Sequence, residues 1–380
     1  MKHRAGNRPP FHIKVNPMVA EETPSFRRAE IEAEKRKILK MRSSRIVFLV
    51  SMVVLLVIAM GASIAMGASS LTAVDAYKIL INQILPGTFD IQDNYEFIVL
   101  NIRAPRVLMA LFSGAILAMG GCLIQTILRN DLATPYTLGI SAGAGFGATL
   151  YFVFGVSIFS GTYGLIGNAF ICSLVPAFVV FMALTKKNVS PVTMVLGGVA
   201  ISYMFSACNT LSQYFGDADA VRDVVFWSVG DLTSASMWQV PYAIVTTIGL
   251  FLFSMFISKN LNTMRMGDDT AKSLGIDVDL TRTSVVLAVC ICTAVVVSFT
   301  GPIGFICLLS PHISRRLVGT DLHYLIPASA LIGSFLLVIA DILAKTALEP
   351  IMLPVGAITA LIGAPALVYL LFIRRKRNGI

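Results

Sequence analysis

Long apolar runs recur along almost the whole of this 380-residue chain, and several exceed the roughly 18 to 20 residues that cross a bilayer as a helix. Only 13% of the residues are charged and 56% are hydrophobic, which leaves too little charge to cover a water-soluble domain. We therefore expect an all-α polytopic membrane protein. The runs predict ten spans, at 46–68, 98–120, 136–155, 164–184, 191–211, 239–258, 284–300, 303–318, 325–345 and 355–373.

Charged residues between the spans predict the topology. The loops on one side carry the basic residues Arg129, Lys186, Lys187, Lys259, Arg265, Lys272, Arg282, Arg315 and Arg316. The segments on the other side carry mostly acids, namely Asp75, Asp90, Asp93, Glu96, Asp217, Asp219, Asp223, Asp231 and Glu349. Lys and Arg accumulate in cytoplasmic loops, and an even number of spans returns the chain to its starting side. We expect a multi-pass protein of the cell membrane with both termini in the cytoplasm.

Both ends of the chain are basic. Residues 1–45 hold twelve Lys or Arg and five Glu, and residues 374–380 begin with Arg-Arg-Lys-Arg. We interpret both ends as cytoplasmic segments that are solvated or contact lipid headgroups. The net charge of +9 is therefore no sign of nucleic-acid binding. The predicted organisation is a basic segment 1–45, a ten-helix transmembrane domain 46–373 and a basic tail 374–380.

The sequence contains no motif for catalysis or for its own energy supply. It has no GxxxxGK[ST] phosphate loop, its six cysteines include no CxxC pair and fit buried free thiols, and its four histidines are scattered. Asp341 is the only carboxylate near a span interior, and Lys345 one turn later can neutralise it. We expect no catalytic, metal or cofactor site, and we expect that any uphill transport draws its energy from another chain.

The polar stretch "MGDDTAKSLGID" (266–277) separates two predicted spans and has the features of a short capped helix. Asp268 and Asp269 suit the positive end of a helix dipole, and Gly275 suits a C-terminal cap. Ala271 and Leu274 are three residues apart and are predicted to share a face that could enter a groove. The segment is either a docking helix for a soluble partner or an ordinary capped loop helix.

Two further patterns concern packing and the external surface. Gly139, Gly143 and Gly147 lie four residues apart, a spacing that predicts close helix packing or, alternatively, the lining of a pathway. The external segments 69–97 and 212–238 are longer than a turn requires. The first is predicted to hold a short surface helix, and the second an interfacial segment, a re-entrant helix or a lid.

Four motifs in order resemble the FecCD-type permeases over about residues 50 to 373. These permeases are the membrane subunits of ATP-driven importers for iron chelates, haem and cobalamin. The motifs are "RAPRVLMALFSGAILAMGGCLIQTILRNDLATPYTLGISAGAGFG" (103–147), "MGDDTAKSLGI" (266–276), "GPIGFICLLSPHISRRLVGTD" (301–321) and "LPVGAITALIGAPALVYLL" (353–371).

The resemblance implies the type II ABC importer permease fold, with ten spans and without an ATPase site in this chain. It implies a second permease subunit, identical or paralogous, two ATPase subunits that bind ATP and Mg, and an extracytoplasmic substrate-binding protein. It identifies 266–276 as the coupling helix, with Gly267, Asp268, Asp269, Ala271, Lys272, Leu274 and Gly275 as its residues. It assigns Arg103, Arg106 and Lys345 to docking of acidic residues on the binding protein. The residues alone also suggest exposed cations at an outer rim, suited either to carboxylates or to headgroup anchoring.

Three residues depart from the family pattern. Lys345 stands where an Arg is usual, Asp131 where a Pro often follows Asn130, and Met352 where the last block usually has Glu. Since Lys cannot form the two parallel hydrogen bonds of Arg, the contact made by Lys345 is expected to be less directional.

The predicted function is import of an iron–siderophore or related chelate by alternating access, driven by a separate ATPase. Haem and cobalamin are the alternative cargoes, with oxyanions such as molybdate more distant. An ATP-independent secondary carrier would need a functional ionisable residue within a span, and the sequence offers no good candidate. A non-transporting scaffold would leave the coupling helix and the outer arginines without a role.

Overall fold

A computed structural model describes residues 24–66, 73–85, 87–89, 93–184 and 191–377, and all the regular structure in these ranges is helical. The chain divides into two compact units, Met1–Val47 and Phe48–Ile380. The described part of the first unit is the charged beginning of α1. The second unit contains the helix bundle. The helices are α1 Pro24–Ala65, α2 Ala73–Ile84, α3 Asp93–Phe97, α4 Ala104–Leu128, α5 Ile140–Phe154, α6 Thr162–Leu184, α7 Pro191–Tyr214, α8 Ala218–Val229, α9 Val240–Met264, α10 Asp268–Ser273, α11 Val278–Thr300, α12 Ile306–Val318, α13 Leu322–Thr346 and α14 Val355–Arg377.

A helix occupies each of the ten predicted span positions, and the all-α polytopic fold is confirmed. Within the described ranges, seven segments are long and apolar enough to cross a membrane: Leu39–Ala65, Tyr95–Leu128, Tyr163–Met182, Val192–Tyr214, Met237–Met264, Val278–Thr300 and Leu322–Thr346. The shorter apolar helices are Ile140–Phe154 and Val355–Tyr369, and α12 has 13 residues. The number of crossings, ten, therefore stays a prediction.

Several helix limits differ from the predicted spans because turn geometry sets them. The second span is longer than 98–120: a π-helical segment, Ile98–Arg103, joins α3 to α4, and α4 continues to Leu128. It ends where Arg129 adopts a left-handed conformation, with φ of 49°. The third span begins later than predicted because a 3₁₀ turn, Pro135–Leu138, precedes α5.

The eighth span, predicted at 303–318, is interrupted at its start, because α12 begins only at Ile306. Irregular backbone inside a membrane domain needs internal hydrogen-bond partners. Tyr136 supplies them here: its hydroxyl donates to the carbonyl oxygen of Ile303 at 3.0 Å and accepts from the amide of Ile303 at 3.2 Å.

The core of the bundle is α4, which is buried along nearly its whole length and packs against α9, α11, α12 and α13. Its contact with α13 is close because glycines face each other. A Cβ built on Gly114 would lie 2.5 Å from the carbonyl oxygen of Gly333. The hydroxyl of Ser334 then reaches the carbonyl oxygen of Leu111 at 2.7 Å.

The predicted close packing of the glycine series is confirmed, although only two of its three members lie within α5. A Cβ on Gly143 would lie 2.5 Å from the carbonyl oxygen of Cys172 in α6, and one on Gly147 would lie 2.3 Å from that of Asn168. Gly139 is the N-cap of α5, and a Cβ there would lie 2.9 Å from Cβ of Pro176 in α6.

The segments outside the spans are partly described. The segment 69–97, predicted to be external, contains α2 and α3, and 212–238 contains α8, which Asp217 caps by accepting a hydrogen bond from the amide of Ala220. At the N-terminus α1 runs without a break through position 45, because its Glu, Lys and Arg residues are good helix formers. The tail predicted at 374–380 begins inside α14. Residues 1–23 and 378–380 lie outside the described ranges.

Candidate coupling and docking sites

The six-residue helix α10 connects α9 to α11 and falls where the short capped helix was predicted. Gly275 closes it in a left-handed conformation, with φ of 83°. The amide of Ile276 donates to the carbonyl oxygen of Ala271 and that of Gly275 to Lys272, each at 3.0 Å. These two bonds form a Schellman cap, so the role of Gly275 as a terminator is confirmed.

The two apolar residues of α10 point in opposite directions, and the prediction that they share a face was wrong. Ala271 is fully buried against the bundle, whereas Leu274 is 66% exposed. Leu274 is the C-cap, where the backbone leaves the helical path, so helical spacing no longer applies to it. The outward surface of α10 is formed by Asp269, Thr270, Lys272, Ser273 and Leu274, all exposed.

Asp268 forms ion pairs with two arginines of the same chain. Its Oδ1 accepts a hydrogen bond from Nη2 of Arg129 at 2.5 Å, and its Oδ2 accepts one from Nη2 of Arg282 at 2.9 Å. Arg129 follows the end of α4, and Arg282 lies in the first turns of α11 with a side chain that is 4% exposed. Neither arginine was identified from the sequence as part of this site. The separation of 139 residues between Arg129 and Asp268 gives no local signal.

Other polar contacts join the helix ends around α10, on what we call the α10 side of the bundle. Arg129 also donates to the carbonyl oxygen of Met264 at 2.7 Å. Arg315 pairs with Asp131 at 3.0 Å and donates to Oε1 of Gln125 at 2.7 Å. Asp131, one of the departures from the family pattern, thus joins the turn after α4 to α12.

A second cluster of charges lies at the opposite side of the bundle, where α1 and α13 end. Asp341 is fully buried and pairs with two cations. Its Oδ1 lies 2.5 Å from Nε of Arg106, and its Oδ2 lies 2.5 Å from Nζ of Lys345. Ser63 of α1 donates to Oδ2 of Asp341 at 3.0 Å and accepts from Lys345 at 3.2 Å. The predicted Asp341–Lys345 pair is confirmed, and Arg106 joins it as a second cation bound to Asp341.

Arg103 holds the end of α1. Its Nη1 donates to the carbonyl oxygens of Ile64 and Ala65 at 2.7 and 2.9 Å. The last carbonyl groups of a helix have no partner within the helix, and an Arg side chain can satisfy them. Arg103 therefore stabilises the junction of α1 with α4.

The three predicted docking residues are close together, but the expectation that they are exposed was wrong. Arg103, Arg106 and Lys345 are only 6%, 3% and 6% exposed. They are buried because Asp341 and the end of α1 compensate their charges inside the protein. Nη1 of Arg106 also contacts Sδ of Met352 at 3.5 Å, which places this departure from the family pattern beside the cluster. Nη2 of Arg106 has no acceptor among the described residues.

All six cysteines are free, and only Cys122, Cys290 and Cys307 are buried; the others are partly exposed. The prediction of buried free thiols is therefore confirmed for three of the six. In the described ranges, no three His, Cys, Asp or Glu side chains converge as metal ligands would.

Comparisons with known proteins give one consistent result. The model of the FecCD transport family matches residues 55–373. An ABC transporter permease protein of Methanocaldococcus jannaschii is 38% identical, over 79% of this chain and 89% of its own length. The Fe(3+)-citrate import system permease protein YfmD of Bacillus subtilis is 33% identical, over 88% and 97% respectively. A solved structure of a metal-chelate type ABC transporter in an inward-facing conformation superposes with a TM-score of 0.75 at 29% identity, over 86% of this chain and 98% of that chain.

Proposed function

Because this chain belongs to the FecCD transport family, we propose that it is the membrane subunit of an ATP-driven importer that carries an iron–siderophore or a related iron chelate. A permease named for Fe(3+)-citrate import and a metal-chelate type transporter are among its relatives. Both names support an iron chelate as the cargo. Haem and cobalamin are the alternative cargoes within the same mechanism.

The observation that carries the proposal is the construction of α10. One of its faces is seated on the bundle through Ala271, and its other face is exposed. A short helix with this arrangement can bind a soluble ATPase and remain part of the membrane domain. ATP binding and hydrolysis on the partner subunits would move α10 as a rigid body, and the attached helices would follow, so that the pathway opens alternately to each side.

The opposite side is proposed to receive the substrate-binding protein. Arg103, Arg106 and Lys345 contribute three positive charges, and Asp341 contributes a single negative charge. Nη2 of Arg106 also lacks an acceptor among the described residues. A carboxylate of the binding protein would supply such an acceptor. Since the three cations are buried, docking requires a local rearrangement around Asp341 or Met352.

The proposed assembly contains two permease subunits, identical or paralogous, two ATPase subunits and one binding protein. ATP and Mg are bound by the ATPases and not by this chain. The α10 side carries the basic loop residues and is proposed to face the cytoplasm, together with both termini.

The test is iron uptake into proteoliposomes that contain the permease and its ATPase. Radiolabelled iron–siderophore and the binding protein are added outside, and ATP is enclosed. The proposal expects uptake only when ATP, the ATPase and the binding protein are all present. Omission of each component in turn provides the controls.

The outcomes separate mechanism from cargo. ATPase activity that responds to a binding protein loaded with haem or cobalamin, without iron uptake, would keep the importer and change its cargo. Uptake that proceeds without ATP and without the ATPase would overturn the importer and indicate a secondary carrier.

A further inference from the structure

We propose that Asp268 is the positioning residue that fixes the coupling helix α10 to the membrane helices α4 and α11, and that Asp269, the next residue, faces the ATPase instead. This inference rests on the proposed function, in which α10 is the coupling helix. It gives two adjacent and chemically identical residues different tasks.

The geometry of the carboxylate supports the first task. Each oxygen of Asp268 is committed to a different helix: Oδ1 to Arg129 at the end of α4, and Oδ2 to Arg282 at the start of α11. Charge-assisted hydrogen bonds of this kind are about twice as strong as neutral ones. A displacement of α10 must therefore either carry both helix ends with it or break one of the two pairs.

A helix as short as α10 needs contacts with the rest of the protein to remain folded. A helix of six residues is unstable by itself, because nucleation fixes several residues for very few hydrogen bonds. Its other prominent attachment is the buried methyl group of Ala271, which is small. The ion pairs of Asp268 thus add to the attachment that Ala271 and the short chain connections to α9 and α11 provide.

Burial makes the pair with Arg282 costly to break. The side chain of Arg282 is 4% exposed, so the loss of the Asp268 charge would leave a buried cation with less compensation. The side chain of Arg129 is 42% exposed and can be solvated in part. The two halves of the anchor are therefore unequal: Arg282 would keep Asp279, at 4.0 Å, as a more distant counter-charge, whereas Arg129 can be solvated.

Asp269 differs from Asp268 in its surroundings. It is exposed, and it forms no ion pair with any residue in the described ranges. Both residues lie in the first turn of α10, so the helix dipole favours both equally. Only the contacts distinguish them, and the exposed carboxylate is the one that a basic residue of a partner can reach.

The first experiment needs no partner. The full-length wild-type chain, Asp268→Asn and Asp269→Asn are placed in lipid nanodiscs, and hydrogen exchange is measured for peptides covering 267–276. The amides of Ala271, Leu274, Gly275 and Ile276 report on α10, since all four are hydrogen-bonded within it. Asp268→Asn is expected to accelerate their exchange by about tenfold or more. Asp269→Asn is the matched control: it loses the same helix-dipole stabilisation but no ion pair, and it is expected to change exchange by less than about threefold.

The second experiment uses the complex with the ATPase. Asp268→Asn is expected to bind the ATPase with an affinity within about threefold of wild type but to transport less cargo per ATP hydrolysed. Asp269→Asn is expected to show the reverse, with an affinity lowered by about fivefold or more and an unchanged ratio of transport to hydrolysis in the bound complex. A purely structural role of Asp268 would lower both quantities together.

Arg129→Gln provides a variant that the fold tolerates, because this side chain is partly exposed. It is expected to reduce coupling less than Asp268→Asn does, and to add little in the double variant. The inference is overturned if Asp268→Asn exchanges like wild type, or if the two Asp variants behave alike. A wild-type complex that transports without ATP would overturn the proposed function, whereas the exchange experiment would still decide whether Asp268 anchors α10.

Discussion

Asp341 is the residue on which the charges at the end of α13 converge. One carboxylate compensates two cations there, Arg106 from α4 and Lys345 from its own helix. A charge within a membrane domain is costly unless it is paired, and here the pairing joins helices that are distant in sequence. Ser63 adds α1 to the same cluster. A single side chain thus links three helices.

Asp341→Asn is expected to lower the free energy of unfolding by about 3–5 kcal/mol, because it leaves two buried cations without a counter-charge. The measurement is the unfolding midpoint of the purified protein in detergent. Asp219→Asn is the matched control, since Asp219 is exposed on α8 and its substitution is expected to change stability by less than about 0.5 kcal/mol. Equal stability of the two variants would contradict the assigned role of Asp341.

At the scale of whole helices, α5 and α10 depend on their neighbours more than the long helices do. α5 has 15 residues, several of them glycine, and its intrinsic helix propensity is correspondingly low. It is held by backbone contact with α6, which glycine alone allows. α10 is held by Ala271 and by the ion pairs of Asp268. In both helices small or charged residues replace the usual large apolar contacts.

Gly147→Ala in α5 is expected to destabilise the protein by about 1–3 kcal/mol, because the new methyl group would overlap the backbone of α6 at Asn168. Gly197→Ala in α7 is the control, since a Cβ there meets no atom within 4 Å. Both substitutions gain the same helix propensity, so the difference between their unfolding midpoints isolates the steric effect. If Gly147→Ala were as stable as Gly197→Ala, close packing of α5 on α6 would be refuted.

Leu274→Ser is expected to weaken ATPase binding by about tenfold while leaving the unfolding midpoint unchanged, because this side chain is exposed on α10 and contributes apolar area only when a partner covers it. Binding can be measured by titration of the ATPase onto the permease in nanodiscs. Leu348→Ser, similarly exposed after α13 on the opposite side, is the control and should bind like wild type. An affinity unchanged by Leu274→Ser would exclude this face of α10 as the contact.

At the scale of the whole molecule, basic residues of the loops and helix ends are concentrated on the α10 side, whereas the cations Arg103, Arg106 and Lys345 of the opposite side belong to helices. Arg129, Arg265, Arg282 and Arg315 lie together on the α10 side, where they pair with acids or bind backbone carbonyls. Asp217 caps α8 and Asp219 lies in its first turn, in a segment that is predicted to be external. This distribution, and not any single residue, predicts how the bundle is oriented in the membrane.

Cysteines introduced at Lys272 and Asp219 test that orientation, since both side chains are exposed. We expect Lys272→Cys to react with a membrane-impermeant maleimide only in inverted vesicles, and Asp219→Cys only in intact cells. Labelling of the parent protein, with its six native cysteines, gives the background to subtract. The opposite labelling pattern would reverse the proposed topology.

The amino-acid sequence was enough to predict the membrane class, the approximate positions of ten helical segments, the family and the presence of α10 with its Gly275 cap. These features are local: apolar length, the identity of capping residues and contiguous motifs are all read from neighbouring positions. The limits of the helices were predicted less accurately than their positions. The helix α4 extends beyond its predicted span, and α12 begins later than predicted. The start of α12 depends on hydrogen bonds between Ile303 and Tyr136, which is distant in sequence.

Which charged side chains form pairs became visible only in the folded protein. Arg106 lies 235 residues before Asp341, and Arg129 lies 139 residues before Asp268, so no local pattern links either pair. The same folding buried the three cations expected at the surface and turned Ala271 inward and Leu274 outward. A side chain's exposure depends on what the rest of the chain places against it, and that is settled only when distant helices pack.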